Sequence, residues 1–205
     1  MTKNDLSGIY AITPNDLEER VLLTRVTEIL ESGIKLLQYR DKFRPKKEKL
    51  VISLELRRIC NQFGSLLIIN DEIELAKEVK ADGVHLGQND TSYRKAREFL
   101  GPKFIIGISC QNNLNFALKA ELEGANYVAF GSAFKSKTKP EAVKCSLEDL
   151  RKFSKKLKTP VAAIGGINFE NLLKVTETGV DMLAISSGLF DENNLVNLTS
   201  LLKKV

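Results

Sequence analysis

Tryptophan is absent from this chain of 205 residues, and histidine occurs only once. The three cysteines, Cys60, Cys110 and Cys145, are scattered and odd in number, which excludes a complete disulfide framework and a cysteine metal cluster. The single histidine, His85, lies inside an apolar run, which favours a structural role over that of a general base. No serine or cysteine has a recognisable base partner. The sequence therefore gives little support to nucleophilic or acid–base catalysis.

Long hydrophobic runs are also missing, so the chain has no candidate membrane span, and residues 1–5 lack the apolar core of a signal peptide. With unpaired thiols as well, we expect a cytoplasmic protein without a membrane partner. The net charge of +5 is mild and the aromatic content is only 7%, which argues against a nucleic-acid partner. A small anionic substrate accounts for the charge at least as well. Homo-oligomerisation stays open.

Short apolar runs alternate with segments of helical spacing along the whole chain. The first turn, Thr13-Pro14-Asn15, lacks the glycines typical of a doubly wound sheet. About eight strand–helix units in one chain predict a (β/α)8 TIM barrel, with residues 1–205 as a single domain. Asn15 or Asp16 is the expected cap of the first helix. The predicted strands are residues 8–12, 34–39, 66–69, 83–86, 104–108, 127–130, 160–164 and 182–185, and the predicted closing helix is 195–203.

Two successive predicted strands are followed by carboxylates. Asp71 follows the apolar run 66–69, and Asp90 ends the stretch 82–90. Because parallel strands in a barrel end at one face, the two acids could share a hard cation such as Mg²⁺. The alternative is helix capping, a common role for aspartate before a helix.

Cations follow the second strand. Alternation places Gln38, Arg40 and Lys42 on one side of the chain, and two fixed cations at this spacing suit a diphosphate. A solvated loop of mixed charge is the alternative.

Anion-binding groups follow the later strands as well. Ser109 offers a hydroxyl, and residues 131–139 combine hydroxyls with cations. Gly165-Gly166 precedes a helix expected to start near Asn168, and Ser186 follows the eighth strand. The exits of strands seven and eight usually bind phosphate in such barrels. The alternatives are a cap at Ser109, a solvated basic loop, and glycines that serve only packing.

Metal ligands and phosphate-binding groups, without acid–base machinery, suit a reaction in which diphosphate leaves by ionisation. Several motifs also resemble the thiamine-phosphate synthase family, and they span nearly the whole chain in order: Tyr10-Ala-Ile-Thr13, Gln38-Tyr-Arg-Asp-Lys42, Ile69-Asn-Asp71, Gly83-Val-His-Leu-Gly-Gln-Asn-Asp90, Thr138-Lys139, Ile164-Gly-Gly-Ile167 and Ile185-Ser186. The resemblance implies a (β/α)8 barrel that joins a diphosphate-activated hydroxymethyl-aminopyrimidine to a thiazole phosphate. It also implies a dissociative mechanism in which diphosphate leaves before the thiazole nitrogen attacks.

The resemblance assigns residue roles. It implies that Asp71 and Asp90 bind Mg²⁺, with Arg40, Lys42, Ser109 and Lys139 as catalytic residues. The pyrimidine diphosphate would be bound by Gln38, Arg40, Lys42, Asn70, Ser109 and Lys139, and the thiazole phosphate by Ser136, Thr138, Gly166, Ile185 and Ser186.

The sixth loop departs from the family pattern Gly-Pro-x-Phe-x-Thr-x-Thr-Lys. Ser132 replaces the proline, Ser136 replaces the first threonine, and a basic Lys135 stands beside it. Ser136 keeps the hydroxyl, whereas the loss of proline removes a constraint on the backbone. Two rival functions stay open: a thiazole tautomerase on the same barrel, which would need an acid–base residue, and a non-catalytic sensor of phosphorylated ligands.

Overall fold

The computed structural model describes residues 6–15, 17–135 and 143–191. In this part of the chain strands and helices alternate. The strands are β1 (Gly8–Ile12), β2 (Leu36–Tyr39), β3 (Leu66–Asn70), β4 (Gly83–Leu86), β5 (Ile105–Ser109), β6 (Tyr127–Phe130), β7 (Val161–Ile164) and β8 (Met182–Ile185). The helices are α1 (Glu19–Glu31), α2 (Lys46–Phe63), α3 (Ile73–Glu78), α4 (Tyr93–Leu100), α5 (Leu114–Glu123), α6 (Leu147–Lys156), α7 (Leu172–Thr176) and α8 (Ser187–Phe190).

The eight strands form one closed parallel barrel in chain order, in which β8 pairs with β1. Each strand is followed by a helix, so the predicted (β/α)8 TIM barrel is confirmed. All carboxyl ends of the strands therefore meet at one face. No described helix is long and apolar enough to cross a membrane.

Side-chain alternation along the strands divides the buried residues into two layers. Outward-facing residues such as Leu37, Leu67 and Val84 pack against the helices. Inward-facing residues fill the barrel, and the group includes Tyr10, Ile68, Tyr127 and Met182. The interior is thus a packed core, which leaves the carboxyl face as the place for a ligand cavity.

The first helix begins later than the sequence suggested. α1 starts at Glu19, and the side chain of Glu18 accepts the N–H groups of Arg20 and Val21. The expected cap at Asn15 is wrong, because its side chain accepts hydrogen bonds from Arg40 and Lys42; Asp16 lies outside the described residues.

The last two units also differ from expectation. α7 begins at Leu172 instead of near Asn168, whose side chain accepts the N–H groups of Glu170 and Asn171 and so closes a turn first. The short helix α8 directly after β8 was not predicted. The predicted helix 195–203 lies outside the described residues.

Candidate active site

A cavity of about 580 Å³ opens at the carboxyl face of the barrel, and all eight strands or the segments after them contribute to its wall. The sequence-predicted residues that line it are Gln38, Arg40, Lys42, Asn70, Asp71, Asp90, Ser109, Gly166 and Ser186. Ile185 is an exception, because its side chain is buried in the outer layer between strands and helices. Ser136, Thr138 and Lys139 lie outside the described residues.

The two predicted metal ligands lie next to each other after β3 and β4. The carboxyl groups of Asp71 and Asp90 lie close enough for each to shift the pKa of the other. Lys42 Nζ lies 2.8 Å from Asp71 Oδ2, and the N–H of Gly87 donates to Asp90 Oδ2 over 2.7 Å. The cap residues of α3 and α4 are Glu72 and Ser92, so capping does not account for either aspartate.

The electrostatics of this pair are asymmetric. Burial raises the pKa of the Asp71 carboxyl, but hydrogen bonds from Lys42 and Asp90 outweigh it, and the net pKa lies below its ordinary value. Burial and the neighbouring Asp71 raise the pKa of Asp90 above its ordinary value. Asp90 is therefore the carboxyl of this pair that takes up a proton more readily as the pH falls.

No group of three or more histidine, cysteine, aspartate or glutamate side chains that could hold a metal occurs among the described residues. Two carboxylates are nevertheless a common protein contribution to a Mg²⁺ site, because water and phosphate oxygens complete the octahedron. The arrangement of Asp71 and Asp90 fits a metal that is held jointly with a phosphorylated substrate.

The residues after β2 are held by the segment after β1. The backbone N–H of Arg40 donates to Thr13 Oγ1 (2.8 Å), and the Arg40 guanidinium donates to Asn15 Oδ1 (3.1 Å). Asp41 faces the other way, where its carboxylate is buried against Arg44. The predicted alternation is thus observed, and Arg40 and Lys42 face the cavity.

The exits of β7 and β8 supply a different kind of surface. Gly165 and Gly166 have φ angles of +105° and +61°. A Cβ atom on Gly165 would overlap Ser132, and one on Gly166 would lie 2.5 Å from the carbonyl oxygen of Lys135. Both positions thus require glycine for conformation and for space. The exposed backbone there, with the segment at Ser186, can approach an anion closely.

Three polar side chains of the cavity floor, Tyr10, Gln38 and His85, are connected to the buried Tyr127, and the sequence did not reveal this connection. Gln38, Tyr10, Tyr127 and His85 are joined by hydrogen bonds of 2.7, 2.8 and 3.0 Å. His85 has the partner expected of a structural histidine, but it also lines the cavity. The available signal was the tyrosines themselves, because a tyrosine inside a barrel strand needs a partner for its hydroxyl.

Small side chains line the part of the cavity wall that belongs to β6, β7 and β8. Ala129, Ala162 and Ala184 line the wall on β6, β7 and β8. Their short side chains give this wall an apolar surface and leave room beside it. Flat heterocyclic rings suit such a space.

Comparisons with known proteins agree on one family. The model for the family described as thiamine monophosphate synthase matches residues 9–189. The thiamine-phosphate synthase of Nitrosococcus oceani is 46% identical over 193 residues, covering 94% of this chain and 89% of that protein. That of Methylococcus capsulatus is 45% identical over 183 residues, with coverages of 89% and 82%. A solved structure, the thiamine phosphate pyrophosphorylase of Pyrococcus furiosus, superposes with a TM-score of 0.86 at 36% identity, covering 98% of this chain and 96% of that one. The match of motifs, barrel and relatives leads to one conclusion: the chain belongs to the thiamine monophosphate synthase family.

Proposed function

We propose that this transferase condenses 4-amino-2-methyl-5-(diphosphooxymethyl)pyrimidine with thiazole phosphate to give thiamine phosphate and diphosphate, in a Mg²⁺-dependent and dissociative reaction. One observation carries the proposal. A single cavity has a charged end at Arg40, Lys42, Asp71 and Asp90, after β2, β3 and β4, and a glycine end at Gly166, after β7 on the other side of the barrel, and small apolar side chains form part of its wall. Two anionic substrates that meet through their rings require this arrangement.

The charged end suits the diphosphate. Arg40 can bind two phosphate oxygens at once, and Lys42 adds a point charge. Lys42 would serve both diphosphate binding and the metal site, because its Nζ contacts the carboxylate of Asp71. The proposed ligands of the pyrimidine diphosphate are Gln38, Arg40, Lys42, Asn70, Ser109 and Lys139, the last of which is outside the described residues.

Asp71 and Asp90 are the proposed ligands of Mg²⁺. Their contact places two acidic groups where a divalent cation would relieve repulsion. When bound, the cation neutralises charge that develops on the departing diphosphate.

The remaining residues bind and orient the substrates. As the carbon–oxygen bond breaks, its electron pair leaves with the diphosphate, and Arg40 and Lys42 stabilise that charge. The lone pair of the thiazole nitrogen then forms the new carbon–nitrogen bond. No proton needs to move, which agrees with a site whose histidine is held by Tyr127.

The glycine end is the proposed site of the thiazole phosphate. Gly166 and Ser186 line it, whereas Ile185 can contribute only through its backbone, because its side chain faces the outer layer. Ser136 and Thr138 remain proposed ligands outside the described residues. We further propose one domain over residues 1–205 and a cytoplasmic location, which suits the buried free thiols Cys60, Cys110 and Cys145.

The test supplies the purified chain with both substrates, with Mg²⁺ or with a chelator, and measures thiamine phosphate and diphosphate. Equal amounts of the two products that depend on Mg²⁺ are expected. Isomerisation of a thiazole without coupling would instead indicate a tautomerase, and tight binding of either substrate without turnover would indicate a sensor.

Arg40→Ala should lower kcat/KM about 10²- to 10³-fold, the scale for loss of one preorganised contact to a developing anion. Arg58→Ala is the matched control, because Arg58 lies on α2 and pairs with Glu55 at the surface. Similar activity in both variants would contradict the placement of the diphosphate.

A further inference from the structure

The hydrogen bonds in the cavity floor form a continuous chain across the barrel. Gln38 Nε2 donates to the hydroxyl of Tyr10 over 2.7 Å, and that hydroxyl lies 2.8 Å from the hydroxyl of Tyr127. The hydroxyl of Tyr127 lies 3.0 Å from His85 Nδ1. Both tyrosines are buried, and Tyr10 is the one of the two that borders the cavity.

The direction of this chain follows from its first member. An amide nitrogen can only donate, so the oxygen of Tyr10 accepts from Gln38. Either tyrosine could donate in the bond between them, but a buried hydroxyl proton without an acceptor is costly, so we assign the Tyr10 proton to the oxygen of Tyr127. The oxygen of Tyr127 is then an acceptor, and its own proton points to His85 Nδ1. In a neutral imidazole the other nitrogen, Nε2, then carries the hydrogen.

Gly107 provides the space that this series of hydrogen bonds needs. Gly107 on β5 pairs with His85 on one side and with Tyr127 on the other. A Cβ atom on Gly107 would overlap the Tyr127 ring. The ring therefore crosses over Gly107 and stacks on the imidazole, with centroids 5.5 Å apart and planes at 19°.

Burial raises the pKa of both tyrosine hydroxyls, so each keeps the proton that it donates. Burial also makes a broken link costly, because a buried hydroxyl without a partner is unfavourable. This series of hydrogen bonds is thus a stable element of the cavity floor, and it runs in one direction.

We propose that Tyr10 and Tyr127 are positioning residues that set the hydrogen-bonding polarity of the floor and thereby select an aminopyrimidine over an oxopyrimidine. The chain commits Gln38 Nε2 to Tyr10, which leaves Gln38 Oε1 as an acceptor, and it places the hydrogen of His85 on Nε2. Both residues line the cavity. An aminopyrimidine matches this floor, because its amine donates and its ring nitrogens accept, whereas an oxo group would face the Gln38 acceptor with another acceptor.

The inference rests on the proposed function for its substrate, but its first test does not depend on turnover. His85 is the only histidine in the chain, so ¹⁵N-histidine labelling gives a spectrum of one imidazole. At pH 8, where an ordinary imidazole is neutral, the wild type should show hydrogen on Nε2 and none on Nδ1. Tyr127→Phe should yield a mixture of tautomers. Tyr93→Phe, which loses the hydroxyl bonds to Gly124 and Arg97 outside the barrel, should leave the wild-type spectrum.

Tyr10→Phe is the second variant, in case Tyr127→Phe does not fold. It keeps the contact between Tyr127 and His85 but removes the residue that fixes its direction, so the second tautomer should appear. Hydrogen on Nδ1 in the wild type, or identical spectra for the wild type and the folded variant, would overturn the proposal.

The second test measures selectivity. Tyr10→Phe and Tyr127→Phe should raise KM for the aminopyrimidine diphosphate about tenfold, the scale of one hydrogen bond, and leave KM for the thiazole phosphate unchanged. Their preference for the aminopyrimidine over its oxo analogue should fall by a similar factor, whereas Tyr93→Phe should keep both values. Equal selectivity in all three variants would overturn the positioning role. A wild type that gives the expected spectrum but no coupling would refute the proposed function alone.

Discussion

The charged and glycine ends of the cavity are built in opposite ways. After β2, β3 and β4 the binding groups are ionic side chains, and Lys42, Asp71 and Asp90 interact with one another. After β7 the surface is backbone, shaped by Gly165 and Gly166 at positive φ. Charge on side chains can be adjusted by protons and cations, whereas the position of a backbone is determined by packing.

This difference matches the proposed chemistry. At the charged end a bond breaks and negative charge grows on the leaving group, so groups that respond to charge contribute to the transition state. At the glycine end the phosphate keeps the same charge throughout, so uniform binding by a rigid surface is sufficient. Substitutions at the charged end should therefore act mainly on kcat, and those at the glycine end mainly on KM.

The largest effect is expected for Asp71→Asn. Asparagine keeps the size of the side chain and tolerates the φ of +63° found here, so the fold should survive. The lost carboxylate should lower kcat/KM with saturating Mg²⁺ about 10²- to 10³-fold, chiefly through kcat. Steady-state kinetics on both substrates would measure this split.

Glu72→Gln is the matched control, because Glu72 is the next residue and pairs with Lys49 away from the proposed metal site. It should retain nearly full activity. A twofold or smaller loss in Asp71→Asn would contradict the metal role, and equal losses in both variants would point to a structural effect.

Much of the fold was predictable because its signals are local. Each strand is a short apolar run that ends in a turn, and Gly8–Ile12, Gly83–Leu86, Tyr127–Phe130 and Met182–Ile185 were predicted with the observed bounds. Parallel alternation then fixes the barrel and the face on which the strands end. The charged end was predictable for the same reason, since its residues lie shortly after three successive strands, β2, β3 and β4.

What could not be predicted depends on contacts between distant residues. Tyr10 and Tyr127 are separated by 117 positions, and their hydrogen bond exists only in the closed barrel. The start of α1 was missed because Asn15, a good cap in isolation, binds Arg40 instead. A family motif placed Ile185 at the site, but alternation along β8 sends its side chain outward.

A smaller effect is expected for Gly166→Ala at the glycine end. The added Cβ would lie 2.5 Å from the Lys135 carbonyl and 2.9 Å from Phe134 Cβ, so the surface must shift. We expect KM for the thiazole phosphate to rise about 10- to 100-fold, as one to two lost backbone contacts would cause. KM for the pyrimidine diphosphate should stay within twofold.

Gly64→Ala is the matched control for Gly166→Ala, because it adds backbone strain without crowding a neighbouring atom. Gly64 has a φ of +60°, close to the +61° of Gly166, but a Cβ atom added there would have no other atom within 4 Å. It should lose about 1 kcal/mol of unfolding free energy and keep both KM values. A parallel rise of both KM values in Gly166→Ala would contradict separate ends.

The smallest effect concerns pH and Mg²⁺ at the charged end. The pKa of Asp90 is raised in the folded state, so its ionisation costs stability as the pH rises through that pKa. Mg²⁺ binds the ionised pair and should offset this cost at pH 7. At ten times its Kd it should add about 1.4 kcal/mol, or about 3–6 °C in Tm. As the pH falls through the raised pKa of Asp90, the proton competes with the cation and the gain in stability should disappear.

Thermal unfolding with MgCl₂, compared with NaCl of equal ionic strength, would measure the gain in stability from Mg²⁺. Asp90→Asn should show little gain at any pH. An equal gain at pH 7 and at acid pH in the wild type would show that Mg²⁺ binds elsewhere.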